Sequence, residues 1–417
     1  MRVLKKLVAL LLIIVNICSL SGCWSYREID QLGIAAGMAI DFDDVTSKYI
    51  VTIEMLHTEA SSEIKGPTSK FYTSNADSIF DAARLLIIKT GKRIFWSHSV
   101  IIIVSEYVAR TGMVPVLDWV NRDSEPRSDM NLIITKSCSA KQMLMTKSEP
   151  TEISSFHLNN IMKSQPLISK MVPATVWEFA NGISNELLEP TAPVAEFDKT
   201  ERKTEQIIYG TAIFKGDKAV GFINGDESFY LLMIKDKLKE GIIVIPKAAG
   251  TNTTTSLEVF HNKTTLTPIY TNGNITMKIR VKTLVAIDEV SGSDDLVVDE
   301  VSRNKLIKQT EEIVTQQLLS LIKKMEQDYN ADVFGFLSTI KIKSPSIWRR
   351  LAKRKDEVFQ NITPEINVEI IVKGSGTNSK PIKISNNILN GRVKNVPFNN
   401  CNICLNNIYR SPTLIQR

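Results

Sequence analysis

The sequence predicts an α/β protein of the α+β type, with three mixed domains, each a β-sheet with packed helices, preceded by a lipoprotein signal peptide. Continuous apolar runs at Ser99–Val104 and Met130–Thr135 are typical of strands buried on both faces. Apolar residues at helical spacing along Val301–Tyr329 predict a long amphipathic helix. Strict alternation at Ile366–Val372 predicts a strand with one covered face.

The N-terminus has the pattern of a lipoprotein signal peptide. Arg2 and two lysines precede an apolar run at Leu7–Val15, and Ser21-Gly22 leads to Cys23. This order predicts a signal peptide over residues 1–22 and acylation of Cys23, by diacylglycerol on the thiol and a fatty acid on the amine. An ordinary signal peptide with a chance cysteine is the alternative. The apolar run is shorter than the roughly 20 residues of a membrane span, so lipid alone is expected to hold the chain.

Residues 23–195 are predicted to form the N-terminal domain. Residues 33–56 contain two runs of strand character and predict a hairpin. Helical spacing recurs at Ala76–Thr90 and again around Val114–Val120. Further helices are predicted at 140–147, 153–164 and 175–184.

The segment Glu189–Arg202 is rich in Pro, Thr and charge and has no periodicity, which predicts a linker. A middle domain over residues 205–265 is expected to follow. It begins with a predicted hairpin whose turn is Lys215–Lys218. A helix at 227–235 and strands at 241–246 and 256–261 complete the middle domain.

The C-terminal domain is predicted over residues 266–380. Asn274–Ile287 predicts a long strand, and Ile347–Phe359 predicts a helix shorter than the one before it. Residues 381–417 contain no acidic residue and are rich in Asn. We interpret them as a divergent tail, either a disordered extension or an altered terminus.

Composition and motifs exclude several classes of function. The formal net charge is +6, and a mature chain without the three basic residues of the signal carries +3, too little to predict nucleic-acid binding. Cys401 and Cys404 form a lone CxxC pair with no neighbouring His. The four histidines are scattered, and neither a GxSxG nor a P-loop motif is present. The sequence therefore predicts no catalytic residue, metal or cofactor, and a protein that is not an enzyme.

The densest group of charges consists of Arg122, Asp123, Glu125 and Arg127. One interpretation is an intramolecular ion-pair network at the end of a helix. The other is a docking surface for another subunit, because arginine side chains pair well with carboxylates at interfaces. The sequence leaves both interpretations open.

Several segments, taken in order, resemble the C subunit of spore-germination nutrient receptors, the Ger(x)C family. They are Cys23-Trp24 with Arg27-Glu28-Ile29 and Leu32-Gly33-Ile34, Phe95-Trp96-Ser97-His98-Ser99, Leu117-Asp118-Trp119, Arg122-Asp123-Ser124-Glu125-Pro126-Arg127, Gly210–Lys215, Lys218–Phe222, Asp332-Val333-Phe334-Gly335-Phe336 and Pro345-Ser346-Ile347-Trp348. The resemblance covers about residues 1–375. It departs from the family at Leu337, where a second Gly is usual, and at Lys353–Glu357, where the family has a run like Asn-Trp-Asp.

The resemblance implies three α/β domains in a lipoprotein on the outer face of the spore inner membrane. It also implies two integral-membrane germinant receptor subunits as partners, one of them transporter-like, in a receptor for small nutrients such as amino acids or sugars. Membrane attachment through the lipid anchor and no nucleic-acid partner are expected. The alternative is the solute-binding lipoprotein of a membrane transporter, which would show two similar lobes around a cleft.

Overall fold

The computed structural model describes residues 2–19, 31–57, 68–147, 152–199, 204–250, 252–291 and 300–375. These residues form one sheet of nine strands and one sheet of four, both with packed helices. The mixed α/β class predicted from the sequence is therefore confirmed. The division into three domains stays a prediction.

The strands are β1 (Leu32–Asp43), β2 (Lys48–His57), β3 (Thr68–Ala76), β4 (Arg93–Phe95), β5 (Ile101–Val104), β6 (Asn131–Thr135), β7 (Thr191–Lys199), β8 (Thr204–Lys215), β9 (Lys218–Ile223), β10 (Gly241–Ile245), β11 (Thr254–Thr271), β12 (Asn274–Ser291) and β13 (Ile362–Ser375). The α-helices are α1 (Arg2–Ser19), α2 (Ile79–Thr90), α3 (Glu106–Thr111), α4 (Val114–Arg122), α5 (Ala140–Met145), α6 (Ser154–Lys163), α7 (Gln165–Ile168), α8 (Val176–Ser184), α9 (Gly225–Ile234), α10 (Glu300–Lys324), α11 (Phe336–Lys343), α12 (Pro345–Leu351) and α13 (Lys355–Gln360). No helix in the described part of the chain combines the length and the apolar character needed for a membrane crossing.

The large sheet has the strand order β3-β2-β1-β5-β6-β7-β8-β9, and β4 pairs with the first part of β1. The central strands β1, β5, β6 and β7 run parallel to one another. The outer strands β2, β3, β8 and β9 pair antiparallel with their neighbours. The predicted hairpin at 33–56 is present as β1 and β2.

The central strands of the large sheet are buried on both faces, as their apolar runs predict. Ile102 and Val104 of β5 point into a core that includes α2 and α4. Ile101 and Ile103 point into a core on the other face, which includes α5 and α6. Helices on both faces exclude water, which explains why these strands lack an alternating pattern.

Two buried carboxylates accept backbone N–H groups at the starts of helices on one face of this sheet. Asp41 accepts the N–H of Ala140 at 2.8 Å, at the start of α5, and Glu54 accepts the N–H of Ser155 at 2.7 Å in the first turn of α6. Both compensate N–H groups that have no partner within their helix. Asp41 is buried in β1, and that burial raises its pKa.

The predicted linker at Glu189–Arg202 is wrong over most of its length, because β7 occupies Thr191–Lys199. This strand lies between β6 and β8, and Val194 and Ala195 are buried. Pro193, which lowers the strand propensity of the segment, lies opposite Thr211 just before a register shift in the β7–β8 pair. The strand pairing thus overrides the local propensity.

The small sheet has the order β10-β11-β12-β13. Its antiparallel hairpin β11–β12 is followed by a crossover through α10 to α13 into β13, which runs parallel to β12. Val314, Leu318 and Leu321 of α10 are buried, as the sequence stripe predicts. The α-helix ends at Lys324, however, and residues 325–329 form a π turn.

The hairpin β8–β9 packs into a core of the large sheet and into the core of the small sheet. Phe214 packs with the core under α2 and α4, whereas Ile213 and Ile223 pack with the core of the small sheet. The ring of Tyr329 lies against Gly221 of β9, where a side chain would collide with it. The Tyr329 hydroxyl donates a hydrogen bond to the carbonyl of Phe222 at 3.1 Å. The π turn after α10 is thereby joined to the large sheet.

A third buried carboxylate begins a helix at this junction. Asp332 accepts backbone N–H groups from residues 334 to 337, the shortest from Leu337 at 2.7 Å, and so begins α11. Its carbonyl accepts the N–H of Glu189 at 3.0 Å, and the next carbonyl, that of Val333, accepts Lys235 Nζ at 2.7 Å. Burial raises the pKa of Asp332 to about 6 and lowers the pKa of Lys235 to about 8.

Glu326, in the π turn, generates a prediction about pH. Its Oε1 is buried and has no hydrogen-bond partner among the described residues. Burial, with a smaller contribution from Asp332, raises its pKa from an ordinary value of 4.5 to about 7. As the pH rises, the Glu326 carboxyl therefore ionises at a lower pH in the unfolded chain than in the folded one. The stability that the neutral carboxyl gives is complete below about pH 4.5 and is lost as the pH rises through 7.

We expect Glu326→Gln to remove this loss. At pH 8 the variant should unfold with a free energy about 1–2 kcal/mol higher than the wild type, after allowance for solvent screening. At pH 4 the two should be alike. Urea unfolding at both pH values measures the difference, and Asp328→Asn, an exposed change in the same turn, is the control. Equal curves for Glu326→Gln and wild type at pH 8 would contradict the assignment.

Candidate docking surface

The first residues of β1, β5 and β6 meet at one end of the large sheet because these strands are parallel. We call this end the leading end, and it comprises Leu32–Ile34, Phe95–Val100 and residues 122–130. Leu32 pairs with Arg93 of β4 at this end. Cys23, the predicted lipidation site, comes nine residues earlier in the sequence and lies outside the described residues.

Three of the segments that carry the family resemblance come together at the leading end. The rings of Trp96 and Trp119 pack edge to face, with centroids 5.3 Å apart. Ser97 Oγ donates to the carbonyl of Glu125 at 3.0 Å. Ser99 Oγ donates to the carbonyl of Ala35, in β1, at 3.1 Å. Residues far apart in sequence therefore build one packed surface.

The four predicted docking residues lie at this end, but the ion pairs of Arg122, Glu125 and Arg127 are formed with residues outside the predicted set. Arg122 Nε lies 2.6 Å from Asp118 Oδ1, one helical turn earlier. Arg127 binds both oxygens of Asp129, with 2.9 Å from Nε to Oδ1. Glu125 forms an ion pair with Arg93, which is 32 residues away in the sequence.

The backbone around these charges is held in place. Asp123 ends α4, where its N–H donates to the carbonyl of Trp119 at 3.0 Å, and its Oδ1 accepts the N–H of Glu125 at 3.2 Å. The carbonyl of Ser128 accepts the N–H of Trp177, at the start of α8, at 2.8 Å. Segment 122–130 therefore presents its side chains from a fixed backbone.

The ion pairs differ in their exposure to solvent. The side chain of Arg122 is 79% exposed, and those of Arg127 and Asp129 are 61% and 62% exposed. The hydrogen bond that Asp129 accepts from Arg127 lowers the pKa of Asp129. The hydrogen bond that Arg122 donates to Asp118 raises the pKa of Arg122. Glu125 is only 19% exposed. Glu125 and Arg93 thus form the structural pair, whereas Arg122 and Arg127 are open to a partner.

The intramolecular ion pairs expected by the first interpretation are present, and docking stays a prediction. Sequence reasoning missed Arg93, Asp118 and Asp129. Asp118 stands four residues before Arg122, a spacing that places both on one face of a helix and could have been found. Nothing local in the sequence connects Arg93 with Glu125.

We also searched the described residues for metal-binding clusters and for clefts lined by reactive side chains. Across the ranges that the structure describes, no three His, Cys, Asp or Glu side chains gather in a way that could hold a metal ion. Two clefts of about 520 and 290 Å³ adjoin α8, and both include Asn181 and Asn185 in their linings. Neither lining, within the described chain, includes a histidine or cysteine. Cys401, Cys404 and the tail at 381–417 lie outside the described residues.

Two known protein families match most of the chain. Residues 25–197 match the family described as spore germination protein N-terminal domain, and residues 209–376 match the family described as spore germination B3/GerAC like, C-terminal. Spore germination protein KC of Bacillus subtilis (strain 168) is 22% identical over 407 residues, 91% of this chain and 98% of the relative. Spore germination protein B3 of the same organism is 23% identical over 376 residues, 87% of this chain and 96% of the relative.

A solved structure shares the fold. The crystal structure of the GerBC protein superposes with a TM-score of 0.53 and 19% sequence identity, and the match covers 83% of this chain and 100% of that one. At this identity the likeness speaks for the fold alone. It shows that the fold of this chain is shared with a known protein.

The exposures of the ion pairs predict which of them stabilises the fold. Arg93→Ala leaves Glu125 partly buried without its cation, which costs about 1–3 kcal/mol of unfolding free energy. Arg122→Ala removes a side chain that solvent already surrounds, so its unfolding free energy should stay close to that of the wild type. Chemical denaturation of the two variants measures the contrast, and the reverse order would contradict the distinction drawn between the pairs.

Proposed function

As a member of the GerAC-like spore germination family this chain acts in spore germination, and we propose that it is the lipid-anchored C subunit of a nutrient germinant receptor. In this proposal it is not an enzyme. It works with two integral-membrane subunits, one of them transporter-like, on the outer face of the spore inner membrane. The observation that carries the proposal is the convergence of three family segments on one packed, charged surface at the leading end.

The signal-peptide pattern supports the lipid anchor. Two or three acyl chains on Cys23 would hold the protein stably, since each buried CH₂ contributes about 0.8 kcal/mol. The leading end follows Cys23 by nine residues, which at roughly 3.3–3.6 Å each span at most about 30 Å. Acylation would thus hold the leading end close to the membrane, where the extracytoplasmic parts of integral subunits lie.

The chemistry of the leading end supports docking to another subunit. Arg122 and Arg127 each present a planar guanidinium from a fixed backbone, and arginine is enriched at protein interfaces because it pairs with carboxylates through two parallel hydrogen bonds. A partner carboxylate could replace Asp118 or Asp129 without rearranging the core. The site is a packed surface, which suits protein contact better than the capture of a solute.

The alternative, a solute-binding lipoprotein of a transporter, predicts two similar lobes around a cleft. The described residues instead form sheets of nine and four strands with different strand orders. One hairpin, β8–β9, packs into a core of each sheet. These observations favour the receptor subunit.

Lipid anchoring is tested at Cys23. We expect Cys23→Ala to abolish acylation, release the protein from spore inner membranes and impair the response to nutrients. Cys138→Ala, which alters a half-buried residue of the body, is the control and should stay in the membrane. Fractionation followed by mass spectrometry of the N-terminal peptide measures both effects. Full membrane retention of the Cys23→Ala protein would show that something other than lipid holds it.

Docking is tested at the two exposed arginines. The double variant Arg122→Ala/Arg127→Ala should keep its folded stability but slow nutrient-induced germination at least about tenfold, because lost interface arginines weaken binding strongly. Arg354→Ala is the matched control, since Arg354 is 65% exposed and pairs with Glu357 three residues later. A stable double variant with a normal nutrient response would exclude docking at this surface. An unfolded one would assign these residues to structure.

A further inference from the structure

The leading end carries a second set of exposed groups beside the ion pairs. We call it the basic tip, and it consists of Lys70, Ile88, Lys89 and Lys92. Lys89 is in the last turn of α2, and Lys92 lies between α2 and β4. Ile88, directly before Lys89, is 80% exposed.

The members of the basic tip lie on one face of the sheet. Lys70 is directly opposite Met55 in the β2–β3 pair, so both side chains point to the face that α2 covers. A methyl group at Gly33 would lie 2.6 Å from Met55 Sδ and 3.6 Å from Lys92 Cβ. Lys89 Nζ reaches across to the carbonyl of Thr73 in β3. Lys70 and Lys92 therefore border the corner next to the start of β1, and the ammonium of Lys89 lies farther along the strands, level with Thr73.

The positive charge of this corner is not neutralised by the protein. Within the ranges that the structure describes, Lys70, Lys89 and Lys92 form no ion pair, whereas nearby Arg93 and Arg127 each pair with an acidic residue. The dipole of α2 favours a cation at its C-terminus and accounts for Lys89. It does not account for Lys70 on β3, nor for the exposure of Ile88.

The opposite end of the same unit has the opposite character. The turn after β1 exposes Asp44, and the start of α2 exposes Asp77 and Asp81, with Lys48 as a nearby cation. The two ends of α2 and its neighbouring strands therefore differ in charge, with exposed carboxylates at one end and the lysines of the basic tip at the other.

We infer that the basic tip rests on the anionic headgroups of the membrane, with Ile88 entering the interfacial region. The inference rests on the lipid anchor of the proposed function, which would hold Leu32 within about 30 Å of the bilayer. Lys92 is next to Arg93, which pairs with Leu32, so the tip lies beside the first residue of β1, nine residues after Cys23. Each lysine close to an anionic surface contributes about 1 kcal/mol of binding, and a buried apolar side chain adds to it.

The contact orients the protein. Lipid on Cys23 alone would be a single point of attachment and would not set the orientation of the body. A second contact at the tip directs the leading end, with Arg122 and Arg127, towards the membrane and towards any integral subunit beside it. The tip and the docking surface then have separate tasks, orientation and recognition.

The test uses the chain from Trp24 onward, without lipid. The three buried cores contain no residue before Ala35, so this form keeps every core residue. Its binding is measured by co-sedimentation with vesicles of phosphatidylcholine alone and of phosphatidylcholine with phosphatidylglycerol, at low and at physiological salt. We expect binding to the anionic vesicles only, weakened by salt.

Substitution locates the contact. Lys70→Gln/Lys92→Gln should lower the partition coefficient roughly 25-fold, about fivefold for each lysine. Ile88→Ser should weaken binding without changing its salt dependence. Lys323→Gln, which removes an exposed lysine from the last turn of α10, is the matched control and should bind like the wild type. Circular dichroism checks that each variant is folded.

Three results would overturn the inference: no binding to anionic vesicles, equal binding to neutral ones, or an equal loss in the Lys323→Gln control. None of them would contradict the proposed function, because the assay involves neither the acyl chains of Cys23 nor germination. Conversely, loss of the nutrient response in Cys23→Ala spores speaks to the anchor and leaves the vesicle result as it stands.

Discussion

The burial of β1, β5 and β6 on both faces is the constraint on which the rest of the structure depends. Helices must cover each face, because an exposed face of these strands would bring apolar side chains into water. Only the strand ends are then available for polar chemistry. The strands are parallel, so segments that are distant in sequence meet at the same end, and Trp96, Ser97 and Glu125 become neighbours.

The sequence predicted the elements whose physical signal is local. Apolar runs revealed β5 and β6, and a helical stripe revealed α10. Strand β3 was missed because it lies at the edge of the sheet with a largely half-buried, polar sequence, and β4, α3, α7 and α11 are too short for a period to be seen. For the site, charge density located segment 122–127, whereas the Arg93–Glu125 pair depends on tertiary contact and has no local signature.

Buried carboxylates explain one of the family segments in physical terms. Asp41 in β1 and Glu54 in β2 accept N–H groups at the starts of α5 and α6, which lie elsewhere in the chain. Asp332 accepts N–H groups at the start of α11, which directly follows it. Such acceptors supply the partners that a helix start lacks and suit its positive dipole. The segment that begins with Asp332 is therefore an architectural device. It explains the acid of this segment as the acceptor of the first N–H groups of α11.

The hairpin β8–β9 has a mechanical consequence. Its two faces belong to different cores, so pulling the sheets apart would expose Ile213 and Ile223, at about 1.5–3 kcal/mol for each side chain. The hairpin β11–β12, with eighteen residues in each strand, extends about 60 Å at about 3.4 Å per residue. Because β8–β9 packs into a core of each sheet, a tilt of the large sheet would carry the small sheet and its long hairpin with it.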